Sequence, residues 1–169
     1  MCVDIGAHVG FVSLALSQLV CDGHVYAFEP SPTNWLHLQN NLALNACKNV
    51  TAIQVAMGEA PGTRQLFVHP AQSGANFIGE GIFPTADPRM ISVMTDTLDN
   101  QQWERGRVSL VKIDVEGWKK RVLRGGPDFL LATNLWLLSN LMPTLLWRLG
   151  ELLRVNFYYC FCRCLTEYL

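Results

Sequence analysis

Charge is scarce in this chain. Only 16% of its 169 residues are Asp, Glu, Lys or Arg, and the formal net charge is −1. Without a basic excess the backbone phosphates of a nucleic acid have nothing to meet, so a nucleic-acid partner is not expected. Collagen-like, coiled-coil and low-complexity compositions are absent too. Half of the residues are apolar, so the chain can bury a core and does not read as a disordered tail. The length suits one domain. The amino terminus shows no positive stretch followed by an apolar one, so no secretory signal is read and a cytoplasmic location is expected. The six cysteines form no CxxC pair. His8, His24, His37 and His69 lack metal-ligand spacing, so no metal site is expected. Cys2, Cys21 and Cys47 read as small buried hydrophobes. Cys160, Cys162 and Cys164 would share one face of a strand. Residues Phe129 to Trp147 carry no charge, which is the length of a short membrane span. Thr133, Asn134, Ser139, Asn140, Pro143 and Thr144 interrupt that stretch, so it reads as a buried helix and a core strand, and membrane association is not expected.

What is present is an alternation of short apolar runs and helical periodicity. Met1–Ile5 is a strand that runs into the turn Gly6-Ala7-His8-Val9-Gly10, and Phe11–Val20 reads as a largely buried helix. Val25–Phe28 is a second strand. Ser31 is placed to cap a helix beginning at Pro32, with Trp35, Leu38 and Leu42 on its apolar face. Val50–Met57 reads as a third strand. This β-α-β-α-β order predicts a parallel sheet with helices on its faces. Gly62–His69 and Ile91–Leu98 read as a β-ribbon insertion around a Gly/Pro-rich loop, Pro70–Pro88. Val108–Val115 is a fourth core strand, and a helix over Trp118–Arg124 stops at Gly125-Gly126-Pro127. Val155–Cys162 is β-prone and reads as a last strand.

Three acids fall at three strand ends: Asp4, Glu29 and Asp114. In an open parallel sheet ligands bind there. The first turn, Asp4-x-Gly6-x-x-x-Gly10, departs from the GxGxxG dinucleotide pattern, which disfavours a nucleotide-dependent dehydrogenase. A carboxylate at that mouth would repel a pyrophosphate and suit an amine or a sulfonium. Glu29 stands where an acid can hold two ribose hydroxyls. A ribose at one end and a positive amino-acid moiety at the other describe S-adenosylmethionine. Each acid also has a plain structural reading: a tight turn for Asp4, a solvated strand end for Glu29, a helix N-terminal carboxylate for Glu116.

Four blocks together resemble the FkbM family of S-adenosylmethionine-dependent methyltransferases. They are Val3-Asp4-Ile5-Gly6-Ala7-His8-Val9-Gly10-Phe11; Ala27-Phe28-Glu29-Pro30; Leu36-x-x-x-Asn40-Asn41-x-x-Leu44-Asn45; and Val111-Lys112-Ile113-Asp114-Val115-Glu116-Gly117 with Val122-Leu123-Arg124-Gly125. Thr97-Leu98-Asp99 matches as well. The resemblance covers residues 2–126 and leaves 127–169 as a divergent tail of a single domain. It implies a Rossmann-like class I methyltransferase fold, a mostly parallel, doubly wound α/β sheet, and methyl transfer to a hydroxyl of a small molecule or sugar. It places Asp4, Gly6, Ala7, His8, Gly10, Glu29, Pro30, Ala56 and Met57 around S-adenosyl-L-methionine, with Ala56 and Met57 near the adenine and Glu29 on the ribose. His8 itself reads as a turn residue. Asp114 and Glu116 would face the methyl-transfer zone as base, metal ligand or positioning groups. Acceptor specificity would lie in Pro70–Pro88. Two departures set the alternative, a catalytically inactive cofactor-binding or interaction remnant. Lys119 stands where the family usually has a second glutamate, and the pattern fades after Gly126. The faded tail and the start inside the first strand suggest a fragment with an incomplete carboxyl end, prone to self-association through an uncovered sheet edge.

Overall fold

The computed structural model describes residues 1–69, 71–79, 89–103, 108–132 and 136–139. Expectations for Val155–Cys162, for Cys160, Cys162 and Cys164, and for residues 140–169 fall outside that range.

Strand β1 is Cys2–Ile5, followed by helix α1, Phe11–Leu19; β2 is Val25–Phe28, followed by α2, Pro32–Leu44; β3 is Val50–Ile53. Ser31 caps α2, its hydroxyl accepting from the Asn34 amide, and Pro32 opens the helix. Next come β4 (Ala56–Met57), β5 (Gly62–Val68), a short 3-10 turn (Ser73–Ala75), β6 (Phe77–Ile78) and β7 (Arg89–Asp96). The chain continues with β8 (Leu110–Ile113), α3 (Lys119–Arg124), α4 (Pro127–Ala132) and β9 (Trp136–Ser139). A five-stranded sheet takes the order β3-β2-β1-β8-β9, every pair parallel. A second sheet, β4-β7-β5-β6, holds the long antiparallel β5–β7 ribbon. The mixed α/β architecture with a mainly parallel sheet and a ribbon insertion is as expected.

The three central strands, β2, β1 and β8, bury both faces, which is why they are almost wholly apolar. Val3, Ile5, Tyr26, Phe28, Val111 and Ile113 face α3 and α4, where Trp118, Val122 and Phe129 pack. Cys2, Val25 and Ala27 face α1 and α2, where Leu16, Leu38 and Leu42 pack. The uncharged stretch after Phe129 opens as expected, with the end of a helix whose Phe129 is buried and then a core strand. Among the described residues no helix is long and apolar enough to cross a membrane.

Four readings are corrected. The helix after the first turn is not largely buried, because it lies on the sheet by one face only: Ser13, Leu16 and Ser17 are buried, while Phe11 and Leu19 are exposed. Val50–Met57 is not one strand. The Ile53 carbonyl accepts from the Glu29 amide at 3.1 Å, ending that ladder, and Ala56–Met57 then joins the second sheet opposite Thr95 and Asp96. The Pro70–Pro88 stretch is not all loop, because Phe77–Ile78 pairs with Phe67 and Leu66. Cys21 is exposed and Cys47 is half-buried, leaving Cys2 alone of the three as a core hydrophobe.

Candidate functional site

The chain leaves β1 toward β2 on one side, while β8 returns on the other, so a crevice opens at the carboxyl ends of these strands. The cavity there is walled by the main sheet through Ile5, Gly6, Phe28 and Glu29, and by the second sheet through Met57, Leu66 and Ile78. Of the residues singled out in the sequence, Gly6, His8, Glu29, Pro30, Ala56, Met57, Asp114 and Glu116 line it. Asp4, Ala7 and Gly10 do not.

The first turn is shaped by positive φ angles at Gly6 (76°), His8 (54°) and Gly10 (94°). At Gly6 only glycine fits, since a Cβ would lie 2.1 Å from the Asp114 carbonyl oxygen. His8 adopts the left-handed conformation of a turn residue, and its Nε2 meets the Ser73 hydroxyl at 2.8 Å. Burial lowers the His8 pKa first, with the positive charges of Lys112 and His37 adding to the effect.

Glu29 is 6% exposed. Its Oε2 accepts from the His8 amide at 2.9 Å, and its Oε1 from the Ser31 amide at 3.1 Å and Asn34 Nδ2 at 3.4 Å. Burial raises its pKa, and those three donors together with Lys112 oppose the rise. The carboxylate is held in one orientation by the first turn, by its own loop and by α2, and a carboxylate has further lone pairs to offer.

Asp4 is placed differently from the expectation that it lines the mouth. It is 0% exposed and turned into the sheet, on the face that α1 covers. Its Oδ2 accepts from Ser13 Oγ at 2.7 Å, and its Oδ1 lies 2.9 Å from Lys112 Nζ. The second contact is close but off the hydrogen-bonding direction, so it is a charge pair and not a hydrogen bond. Lys112 Nζ donates instead to the Gly6 carbonyl at 2.7 Å. Asp4 is therefore linked to the turn through Lys112. The physical reason is that a carboxylate in mid-strand between apolar neighbours needs a buried partner, and Lys112 is opposite it.

Asp114 and Glu116 are exposed at the crevice, and among the described residues their side chains make no hydrogen bond or ion pair. The ribbon insertion reaches over to them, with Phe77 and Glu116 forming an isolated backbone bridge. Ser73 also takes Asn34 Nδ2 on its carbonyl at 3.4 Å. The sequence pattern assigns no site role to Asn34, Lys112 or Trp118, and reaches Ser73 and Phe77 only as members of the acceptor loop Pro70–Pro88. Of these, Lys112 carried a readable signal, a lone cation inside the apolar run Val111-Lys112-Ile113. Trp118 closes one wall, with Arg121 stacked on its ring at 4.5 Å. Among the described residues no cluster could hold a metal ion.

The donor set can accommodate a ligand of several parts: Glu29 is a fixed carboxylate that can take a diol, Ala56 and Met57 offer an apolar wall, and the exposed Asp114 and Glu116 can face a cationic group or a hydroxyl acceptor. The model of the methyltransferase FkbM domain matches residues 4–144. The chain is 29% identical over 152 residues to Methyltransferase sdnD of Sordaria araneosa, covering 73% of this chain and 59% of that protein. It is 26% identical over 148 residues to Methyltransferase 1 of Beauveria bassiana (strain ARSEF 2860), covering 75% and 58%. The chain thus spans under two thirds of the length of both curated relatives. No solved structure gives a significant match.

Proposed function

The chain belongs to the FkbM methyltransferase domain family, and on that premise we propose that it is an S-adenosylmethionine-dependent methyltransferase acting on a hydroxyl of a small molecule or sugar. The observation that carries the reading is the meeting, in one crevice, of the fixed Glu29 carboxylate, the Ala56–Met57 wall and the exposed Asp114 and Glu116.

In this reading Glu29 takes the ribose hydroxyls, Ala56 and Met57 lie against the adenine, and Gly6, His8 and Pro30 line the crevice between them. When bound, S-adenosylmethionine supplies a methyl group already activated on a sulfonium. The protein's task is then alignment of the acceptor oxygen and removal of its proton. Asp114 and Glu116 have free lone pairs at the crevice, so one can take the hydroxyl proton while the other holds the acceptor in line. Ser73, Asn76 and Phe77 of the insertion wall the same space and would sort acceptors by shape.

Calorimetry of the purified chain with S-adenosylmethionine and S-adenosylhomocysteine tests the cofactor assignment. Glu29→Ala is expected to weaken both by roughly 1–3 kcal/mol, the scale of hydrogen bonds to a charged group. Unchanged affinity in that variant, or tight NAD binding by the wild type, overturns it. A second reading, a cofactor-binding remnant without turnover, draws on Lys119 in place of the usual acid. Methyl transfer to any hydroxyl acceptor separates the two, and Asp114→Asn and Glu116→Gln should then lower turnover more than cofactor affinity.

A further inference from the structure

Lys112 is the one buried cation among the described residues, and no step above uses it. It sits in β8 directly across from Asp4 in β1. Its ammonium is shared between the Asp4 carboxylate and the carbonyl of Gly6, a residue that lines the crevice. The pair is therefore a buried dipole, with the negative end anchored by Ser13 under α1 and the positive end against the turn. We infer that Lys112 is a positioning residue for the cofactor mouth, pinning the Gly6 turn and setting the balance between a cationic ligand and its neutral product. This inference rests on the cofactor reading proposed above.

The field of Lys112 reaches the cavity wall. It adds to the burial that lowers the His8 pKa, and it opposes the burial that raises the Glu29 pKa. S-adenosylmethionine and S-adenosylhomocysteine share every group except one methyl and the unit charge on sulfur. A field in the crevice therefore acts on their affinity ratio, whereas loss of shape weakens both alike. A positive end at the turn moderates the preference for the charged form and lets the neutral product compete. Two buried charges of opposite sign also make opposite predictions, which a packing role does not.

The test is calorimetry of both ligands with the whole chain, in the wild type and three variants. Lys112→Met keeps the apolar stem and leaves Asp4 unpaired. The preference for S-adenosylmethionine over S-adenosylhomocysteine should rise by roughly fivefold. Asp4→Asn leaves Lys112 unpaired, and the preference should fall by a similar factor. The double variant strands neither charge and is the one to read if a single variant fails to fold. Its preference should lie between those of the wild type and Lys112→Met, because the positive end nearest the crevice is gone. Without any ligand, the His8 imidazole followed by NMR should titrate at a higher pH in Lys112→Met or the double variant. Affinities that fall in parallel with an unchanged ratio, or a His8 titration that does not move, overturn the inference. Wild-type protein that binds neither ligand overturns the cofactor reading instead.

Discussion

At the scale of single residues, the site depends on backbone that few side chains tolerate. Gly6→Ala would place a methyl group into the Asp114 carbonyl at a φ of 76°, and should cost about 2–4 kcal/mol, read as a lowered denaturation midpoint. Glu29 gives a pH signature. Burial raises its pKa above 4.5, so the folded state holds this proton more tightly than the unfolded chain does. Its contribution to stability is complete below 4.5 and is lost as pH rises through the raised value. The stability of the wild type relative to Glu29→Gln should therefore fall with rising pH across that window, and parallel pH profiles of the two proteins would contradict this. His8 works at the other end. Its lowered pKa means that acidification below 6.5 protonates the unfolded chain first and favours unfolding.

Among the elements, β1, α1, β2 and α2 were legible to within a residue, because a strand that ends in a glycine turn and a Ser-Pro helix start are local signals. What escaped was non-local. Nothing in Val50–Met57 says that Glu29 ends the ladder at Ile53, and nothing in Phe77–Ile78 reveals Phe67 as its partner. The candidate site divided in the same way. That Glu29, Asp114 and Glu116 lie at the crevice was legible because strand ends are legible. The inward turn of Asp4 was not, because it depends on a partner 108 positions away in the chain and on the registry between two strands. Thr97-Leu98-Asp99 matched the family with no role attached. The structure supplies one: the Asp99 carboxylate accepts from the Phe129 amide at 2.8 Å and from the Asp128 amide at 3.4 Å, closing the start of α4. Asp99→Ala should lower stability by about 1 kcal/mol, the usual cost of a lost cap, visible as a reduced melting temperature. An unchanged melting temperature would show that water serves these amides equally well.

On the scale of the whole molecule, the crevice is walled by two separate sheets, so its ligand should hold them together. A ligand that binds only the folded state at a hundred times its dissociation constant adds about 2.7 kcal/mol. For a chain of this size that corresponds to a rise in melting temperature of roughly 5–10 °C. S-adenosylhomocysteine should produce that rise in the wild type, with a smaller one at the same concentration in Glu29→Ala. Equal shifts in both proteins would place the ligand elsewhere.

The pairing of Asp4 with Lys112 also bears on how the chain finds its fold. Strands β1 and β8 read Cys-Val-Asp-Ile and Leu-Val-Lys-Ile, greasy on both sides, and are brought together from opposite halves of the chain. Grease alone cannot count positions, since sliding one strand past the other still covers apolar surface. The two charges can count. Shifted by one step, Asp4 would lie opposite Val111 or Ile113, and both charges would be stranded without water or counter-charge. The ion pair is thus a proofreading mark between two strands far apart in the chain. A chain lacking both charges should still collapse, but with less discrimination between the correct alignment and its neighbours.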